Sequence, residues 1–176
     1  MNDILSHLGV EVCSEAEAGV DLEVEETGTT FEENSLLKAR AVMEASGLPA
    51  IADDSGLCVD ALDGAPGVFS ARYSGGTDAD NNQKLLRALD GIANRTAYFE
   101  SCIVYYDGIK SIAATGRTFG RIAMEAHGEG GFGYDPLFMS DDLGKTFGEA
   151  SETEKNGVSH RARALAELAE KLRDEI

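Results

Sequence analysis

Apolar residues recur along the chain in two rhythms, a helical interval of three to four and a strict alternation, and together they divide it into helices and strands. Residues 1–8 follow the helical interval and end at Gly9, a residue suited to the left-handed turn that closes a helix. Val10-Glu11-Val12-Cys13 alternates and predicts a strand; a polar, acidic loop covers residues 14–29. Thr30-Phe31-Glu32-Glu33 has the Ser/Thr-x-x-Glu pattern whose side chains satisfy the first orphan amides of a helix. That helix is expected to run to Ser46, ahead of Gly47 and Pro49, with Leu36, Ala39 and Met43 as its core stripe. Asn34 and Lys38, one turn apart, lie off the stripe and are expected to be available to solvent or a ligand.

The apolar run Ala50-Ile51-Ala52 predicts a strand that ends at Asp53-Asp54-Ser55-Gly56. Gly64-Ala65-Pro66-Gly67 and Ser74-Gly75-Gly76 bracket a loop, and Thr77-Asp78-Ala79-Asp80 opens a helix reaching about Leu89. Residues 98–106 and 111–122, rich in β-branched and aromatic side chains and joined at Asp107-Gly108, predict a long hairpin. A glycine-rich loop leads to a short strand at 136–139. The last helix is expected over 159–175, with Leu165, Leu168, Ala169 and Leu172 on its core face. Helices interleaved with strands predict an α/β protein, and the hairpin beside them predicts a mixed sheet.

At 176 residues the chain fits one domain, 1–176, long enough to bury its own core. Acids outnumber bases 32 to 15, a formal charge of −17. Such a surface argues against DNA, RNA or an anionic membrane as a partner, since those need a basic face. A polyanionic small ligand is compatible only through local cations or a divalent metal. Cys13, Cys58 and Cys102, odd in number and set in apolar runs, read as reduced core thiols. No stretch approaches the ~18 apolar residues of a membrane span, and no basic-then-apolar leader is present, so a soluble cytoplasmic protein is expected.

Two adjacent acids at the end of an apolar strand serve either a metal or a turn cap. Side chains alternate along a strand, so Asp53 and Asp54 cannot both aim at one ion, and one is expected to act while the other supports it. Gly128-Glu129-Gly130-Gly131-Phe132-Gly133-Tyr134-Asp135-Pro136 lets backbone approach a ligand closely, yet it is neither a dinucleotide fingerprint nor a P-loop. Phe132 and Tyr134 in that loop either stack on a flat ring or pin a hairpin onto the core. Lys155-Asn156-Gly157-Val158-Ser159-His160-Arg161 sets a lysine before a helix start and two cationic groups in its first turn. Cations avoid that end of a helix unless an anion or carbonyl acceptor binds there; otherwise the segment is a solvated turn. His7 and His127 read as structural or exposed.

Five motifs occur in one order: Thr30-Phe31-Glu32-Glu33-Asn34 with Lys38-Ala39; residues 51–56; Gly64-Ala65-Pro66-Gly67-Val68-Phe69-Ser70-Ala71-Arg72-Tyr73-Ser74-Gly75; residues 130–136; and Glu154-Lys155 with Ser159-His160-Arg161. Over essentially its whole length the chain resembles the inosine triphosphate pyrophosphatase family. The resemblance implies an ITPase-like α/β fold in which helices flank a central mixed sheet and two lobes enclose the active site in the cleft between them. It implies a magnesium-dependent homodimer that hydrolyses the non-standard purine nucleoside triphosphates ITP, dITP and XTP to the monophosphate and pyrophosphate, and so cleanses the nucleotide pool. On the family pattern Asp54 is the general base and a Mg²⁺ ligand, and Glu25 is the second metal-side carboxylate, with Glu26 the alternative in the doublet. Lys38, Ser55 and Lys155 are substrate contacts; Phe132, Gly133, Tyr134 and Asp135 form the base-binding loop; His160 and Arg161 lie at the purine edge. A 6-keto oxygen accepts from such donors, whereas adenine offers a donor and leaves them unpaired.

Family members begin with a strand and a Thr/Ser-Gly-Asn-x-x-Lys phosphate loop, and this chain starts after that point. The departure carries an alternative expectation, a family member that binds nucleotide with impaired catalysis.

Overall fold

The computed structural model describes residues 1–175. The elements are α1 (Asn2–Leu5), a 3₁₀ turn (Ser6–Leu8), α2 (Phe31–Ser46), β1 (Ala50–Val59), α3 (Asp78–Ala88), β2 (Thr96–Tyr106), β3 (Ser111–Ile122), β4 (Phe138–Ser140), α4 (Glu152–Val158) and α5 (His160–Arg173). The four strands form one sheet in the order β1-β2-β3-β4. That sheet is antiparallel, where the sequence pointed to a mixed one. A helix between two strands, as α3 lies between β1 and β2, is the signal for a parallel crossover. A long connection, however, leaves the direction of return open.

The chain divides into two compact units; three of the four divisions fall inside the long strands, after Asp54, Glu100 and Gly116, and the fourth follows His160 at the start of α5. The first unit holds residues 1–54, 101–116 and the chain from Arg161 onward. Its core gathers Leu5, Ile103 and Ala114 with the expected face of α5, Leu165, Leu168, Ala169 and Leu172. Thr30 caps α2 by accepting the Glu33 N–H at 3.1 Å, and Gly47 ends it at φ +72°. The buried face of α2 is not the predicted one: Phe31, Asn34, Ser35 and Ala39 are buried, while Leu36 and Met43 are half-buried. Polar residues tolerate that face because they find partners there; the Ser35 hydroxyl donates to the Cys102 carbonyl at 2.7 Å. Residues 10–13 keep their alternation, with Val10 and Val12 turned toward the core and Glu11 and Cys13 exposed. No ladder forms along them, so the expected strand is absent there. The same parity places Cys13 outside the core, while Cys58 and Cys102 are buried as expected.

The second unit holds residues 55–100 and 117–160. Leu57, Val59, Leu85, Leu89 and Phe99 pack with Phe138 and Phe147, the ring of Phe138 lying 4.6 Å from Phe99 and 5.1 Å from Phe147. Thr77 and Asp80 form the capping box that starts α3. In β3 the residues Thr118, Gly120 and Ile122 face inward, and Arg117, Phe119 and Arg121 outward. Gly120 pairs with Ser140, and a Cβ there would stand 2.2 Å from the Met139 carbonyl, so only glycine lets β4 approach. β1 does not stop at the acids but continues through Asp53-Asp54-Ser55-Gly56 to Val59, because apolar Leu57, Cys58 and Val59 resume the buried pattern beyond them. A second capping box, Ser151 with Glu154, opens α4, which the sequence reading missed because Gly157 discourages a helix there. Among the described residues no helix is long and apolar enough to cross a membrane.

Candidate active site

In the first unit, β1 carries Asp53 and Asp54 with their carboxylates on different partners, as strand alternation requires. The Asp53 carboxylate accepts from Arg161 Nε at 2.8 Å, at the start of α5. Asp54 Oδ2 accepts from Asn34 Nδ2 at 3.2 Å, and its Oδ1 lies 3.5 Å from Lys38 Nζ. One turn of α2 thus delivers both groups that hold Asp54. Lys38 Nζ also donates to the Asp53 carbonyl at 2.5 Å and to Glu26 Oε1 at 3.1 Å. Three oxygen atoms from three residues therefore converge on one cation. Burial pushes the Asp54 carboxyl above its ordinary range; Lys38 and the Asn34 hydrogen bond pull the other way, and Glu26 adds to the rise.

Asn34 does more than touch Asp54. Fully buried, it accepts the Gly28 N–H at 2.7 Å through its own carbonyl, and so ties the acidic 25–28 loop to the carboxylate on β1. A Cβ on Gly28 would stand 2.6 Å from that oxygen and 2.7 Å from Glu33 Cβ, so a larger residue would push the loop off α2. The exposed side chain expected for Asn34 is thereby corrected: its amide is spent on backbone and carboxylate. Of the acidic doublet, Glu26 reaches Lys38 while Glu25 is exposed.

The second unit contains a cavity of about 180 Å³ lined in part by Ser55, Ser70, Asp78, Phe132, Lys155 and His160. The loop 132–135 forms one wall. Its two aromatics, for which two readings stood, divide between them. Tyr134 is buried and donates its hydroxyl to the Ser70 carbonyl at 2.7 Å, so it pins the loop, and burial pushes its phenol up. Phe132 is 70% exposed and presents its ring to the cavity, with Lys155 Nζ 4.3 Å from the ring centroid. Asp135 is buried and accepts from Lys155 at 2.5 Å and from the Phe132 N–H at 3.0 Å. His160 stacks on Phe99, centroids 5.1 Å apart and planes 18° from parallel.

The cations expected to crowd one helix start are therefore distributed. Lys155 stands within α4 and faces Asp135, while His160 and Arg161 open α5, the former against Phe99 and the latter against Asp53. Sequence reasoning missed Asp78 and Asn82, whose side chains on α3 bond the Gly133 peptide. Their spacing of four was a signal of a shared helix face, with nothing in it to name the partner.

The model of the Ham1 family matches residues 1–171. A dITP/XTP pyrophosphatase of Ralstonia nicotianae is 50% identical over 98% of this chain and 89% of its own length, and that of Haemophilus influenzae is 52% identical over 98% and 91%. The structure of a HAM1 protein from Coxiella burnetii is 40% identical, superposes with a TM-score of 0.90, and is matched over 98% of this chain and 91% of its own. A nucleoside-triphosphatase / dITP/XTP pyrophosphatase from Mycobacterium abscessus is 43% identical with a TM-score of 0.81, over 97% and 91% of the two chains. The resemblance read from the five motifs, and the α/β fold it implied, are thus borne out: the chain belongs to the Ham1 family.

Proposed function

We propose that this protein hydrolyses ITP, dITP and XTP at the α-phosphorus, releasing pyrophosphate and the monophosphate. The observation that carries the reading is the 50% identity, over 98% of the chain, to a protein named dITP/XTP pyrophosphatase. The geometry around Asp54 supports it. A carboxylate whose proton affinity is raised by burial, and which is held by Asn34 and Lys38, is suited to take a proton from an attacking water. Lys38 supplies positive charge in a chain that is otherwise strongly acidic.

The donor set fits a divalent cation, because the Asp54 and Glu26 carboxylates and the Asp53 carbonyl already converge on the ammonium of Lys38. All are hard oxygens of the type Mg²⁺ prefers. Asp54 would hold the ion, with Glu26 favoured over Glu25 as the second carboxylate. When bound, Mg²⁺ neutralises phosphate charge and lowers the pKa of a coordinated water. Phe132 offers the purine a face to stack on, Ser55 and Lys155 line the same cavity, and Gly133, Tyr134 and Asp135 shape it. His160 and Arg161 read the 6-keto oxygen; Arg161 uses Nε on Asp53, and a guanidinium carries further N–H donors. The working form is a homodimer in the cytoplasm.

Pyrophosphate release from ITP and from ATP, each with Mg²⁺ and with excess chelator, tests the reading. Release from ITP well above ATP, abolished by the chelator, is expected. Equal rates would refute purine discrimination, and undiminished chelated activity would refute the metal.

A further inference from the structure

Gly133 lies at the centre of the cavity wall between Phe132 and Tyr134, and it adopts φ +59°, a left-handed conformation that glycine reaches without strain. A Cβ built on it would meet nothing within 4 Å, so close packing against that position is not what holds the peptide. Hydrogen bonds from one face of α3 reach both its polar groups. Asn82 Nδ2 donates to the Gly133 carbonyl at 3.1 Å, and the Asp78 carboxylate accepts the Gly133 N–H at 3.3 Å. The two residues are four apart, so one helical turn grips both ends of one residue.

Asn82 bears a cost for this arrangement. Its Oδ1 atom is buried and has no hydrogen-bond partner among the described residues. A residue retained for packing alone has no reason to carry a buried, unpartnered carbonyl, since an apolar side chain of similar size avoids that loss. The donor on Gly133 is what the amide supplies. Asp78 also stands at the edge of the same cavity.

We propose that Asp78 and Asn82 are positioning residues for purine recognition: they hold the Gly133 peptide so that the Phe132 ring keeps its place at the cavity. The assignment rests on the functional reading above. It differs from the contacts proposed there, because neither α3 side chain needs to touch the base; each acts through the loop.

The test pairs Asn82→Leu, alone and with Asp78→Ala, against Asp78→Asn, which keeps an acceptor oxygen for the Gly133 N–H. Three readouts are taken: kcat and KM for ITP and ATP, hydrogen exchange of loop amides 129–135 in the ligand-free protein, and the thermal midpoint. In the double variant the ITP-to-ATP ratio of kcat/KM is expected to fall about tenfold, mainly through KM for ITP, as the loss of two modest hydrogen bonds implies. Loop exchange is expected to accelerate. Asn82→Leu is expected to keep or raise the thermal midpoint while it loses selectivity, a split that a merely structural role would not give. Asp78→Asn should retain the wild-type ratio. A double variant with the wild-type ratio overturns the assignment, whether or not its loop exchanges faster. Wild-type protein without preference for ITP refutes the functional reading itself, and a preference that the variants keep refutes only the role of α3.

Discussion

Around Asp54 the first unit brings together partly exposed charges that compensate one another, whereas the cavity of the second unit, lined by rings, backbone and polar side chains, contains the buried pair Lys155 with Asp135. Lys38 and Glu26 retain 23% and 29% of their side-chain exposure around an Asp54 at 11%, while Lys155 and Asp135 retain 14% and 4%. Partly exposed charges such as Lys38 and Glu26 exchange partners at lower cost, because water screens each arrangement. A buried pair has no such freedom, since separating it strands an ion in a poor solvent. The first region is therefore suited to chemistry in which cations and anions rearrange, and the second to holding a shape.

The largest effect expected is on turnover. Asp54→Asn keeps the side-chain shape and removes the carboxylate proposed as the base, so kcat should fall by at least about 10²-fold. The fold should not suffer. Burial raises the Asp54 pKa, so its contribution to stability is fully present below the unfolded value and is lost as pH rises through the folded one. At neutral pH the ionised group is a burden, and the metal-free asparagine variant should melt at or above the wild-type temperature. A clear drop in the midpoint, or kcat within tenfold of wild type, would break the contrast at its first term.

Lys155→Met addresses the buried pair and should destabilise by about 3–5 kcal/mol, measured by denaturant titration, because the Asp135 carboxylate is left without its cation. Adding Asp135→Asn should recover most of that loss, as asparagine still accepts the Phe132 N–H without charge. A loss under about 1 kcal/mol in the single variant would show that the pair behaves like a solvent-screened one.

Phe132→Ala removes a ring that is already 70% exposed, so stability should stay within about 0.5 kcal/mol. Stacking of a base on an aromatic face contributes about 1–3 kcal/mol, and KM for ITP should rise about tenfold with kcat nearly unchanged. If kcat falls instead, the ring belongs to the chemistry.

The smallest effect sought is at Arg161, whose pair with Asp53 is 50% and 27% exposed and contributes about 0.2–1 kcal/mol. Arg161→Ala should leave the midpoint almost unmoved while lowering the ITP-to-ATP ratio of kcat/KM several-fold. Asp53→Asn should be milder on turnover than Asp54→Asn; equal losses would erase the division between the two carboxylates.

The helix starts at Thr30 and Thr77, the hairpin turning at Asp107-Gly108 and the apolar face of α5 were legible because each depends on a few neighbouring residues. The end of β1 was not, since adjacent acids look like a turn until the burial of Leu57 to Val59 is known. Helix α4 was hidden by Gly157, a local penalty that a capping box at Ser151 overcomes.

Within the candidate site, the sequence by itself determined the chemical inventory: an acid pair on a strand, a lysine one turn from an asparagine, an aromatic glycine loop and a cationic segment ahead of the last helix. These are readable because residue type and short spacing set which groups exist and which share a helix or strand face. Only the tertiary structure decided their assignments. It chose Glu26 over its neighbour for Lys38, buried Asn34 between Gly28 and Asp54, gave Tyr134 to the core and Phe132 to the cavity, and sent Lys155 and Arg161 to different acids. Each outcome turns on a partner from 6 to 108 residues away in the chain, and one hydrogen bond between such partners is decided by packing geometry that no local pattern encodes.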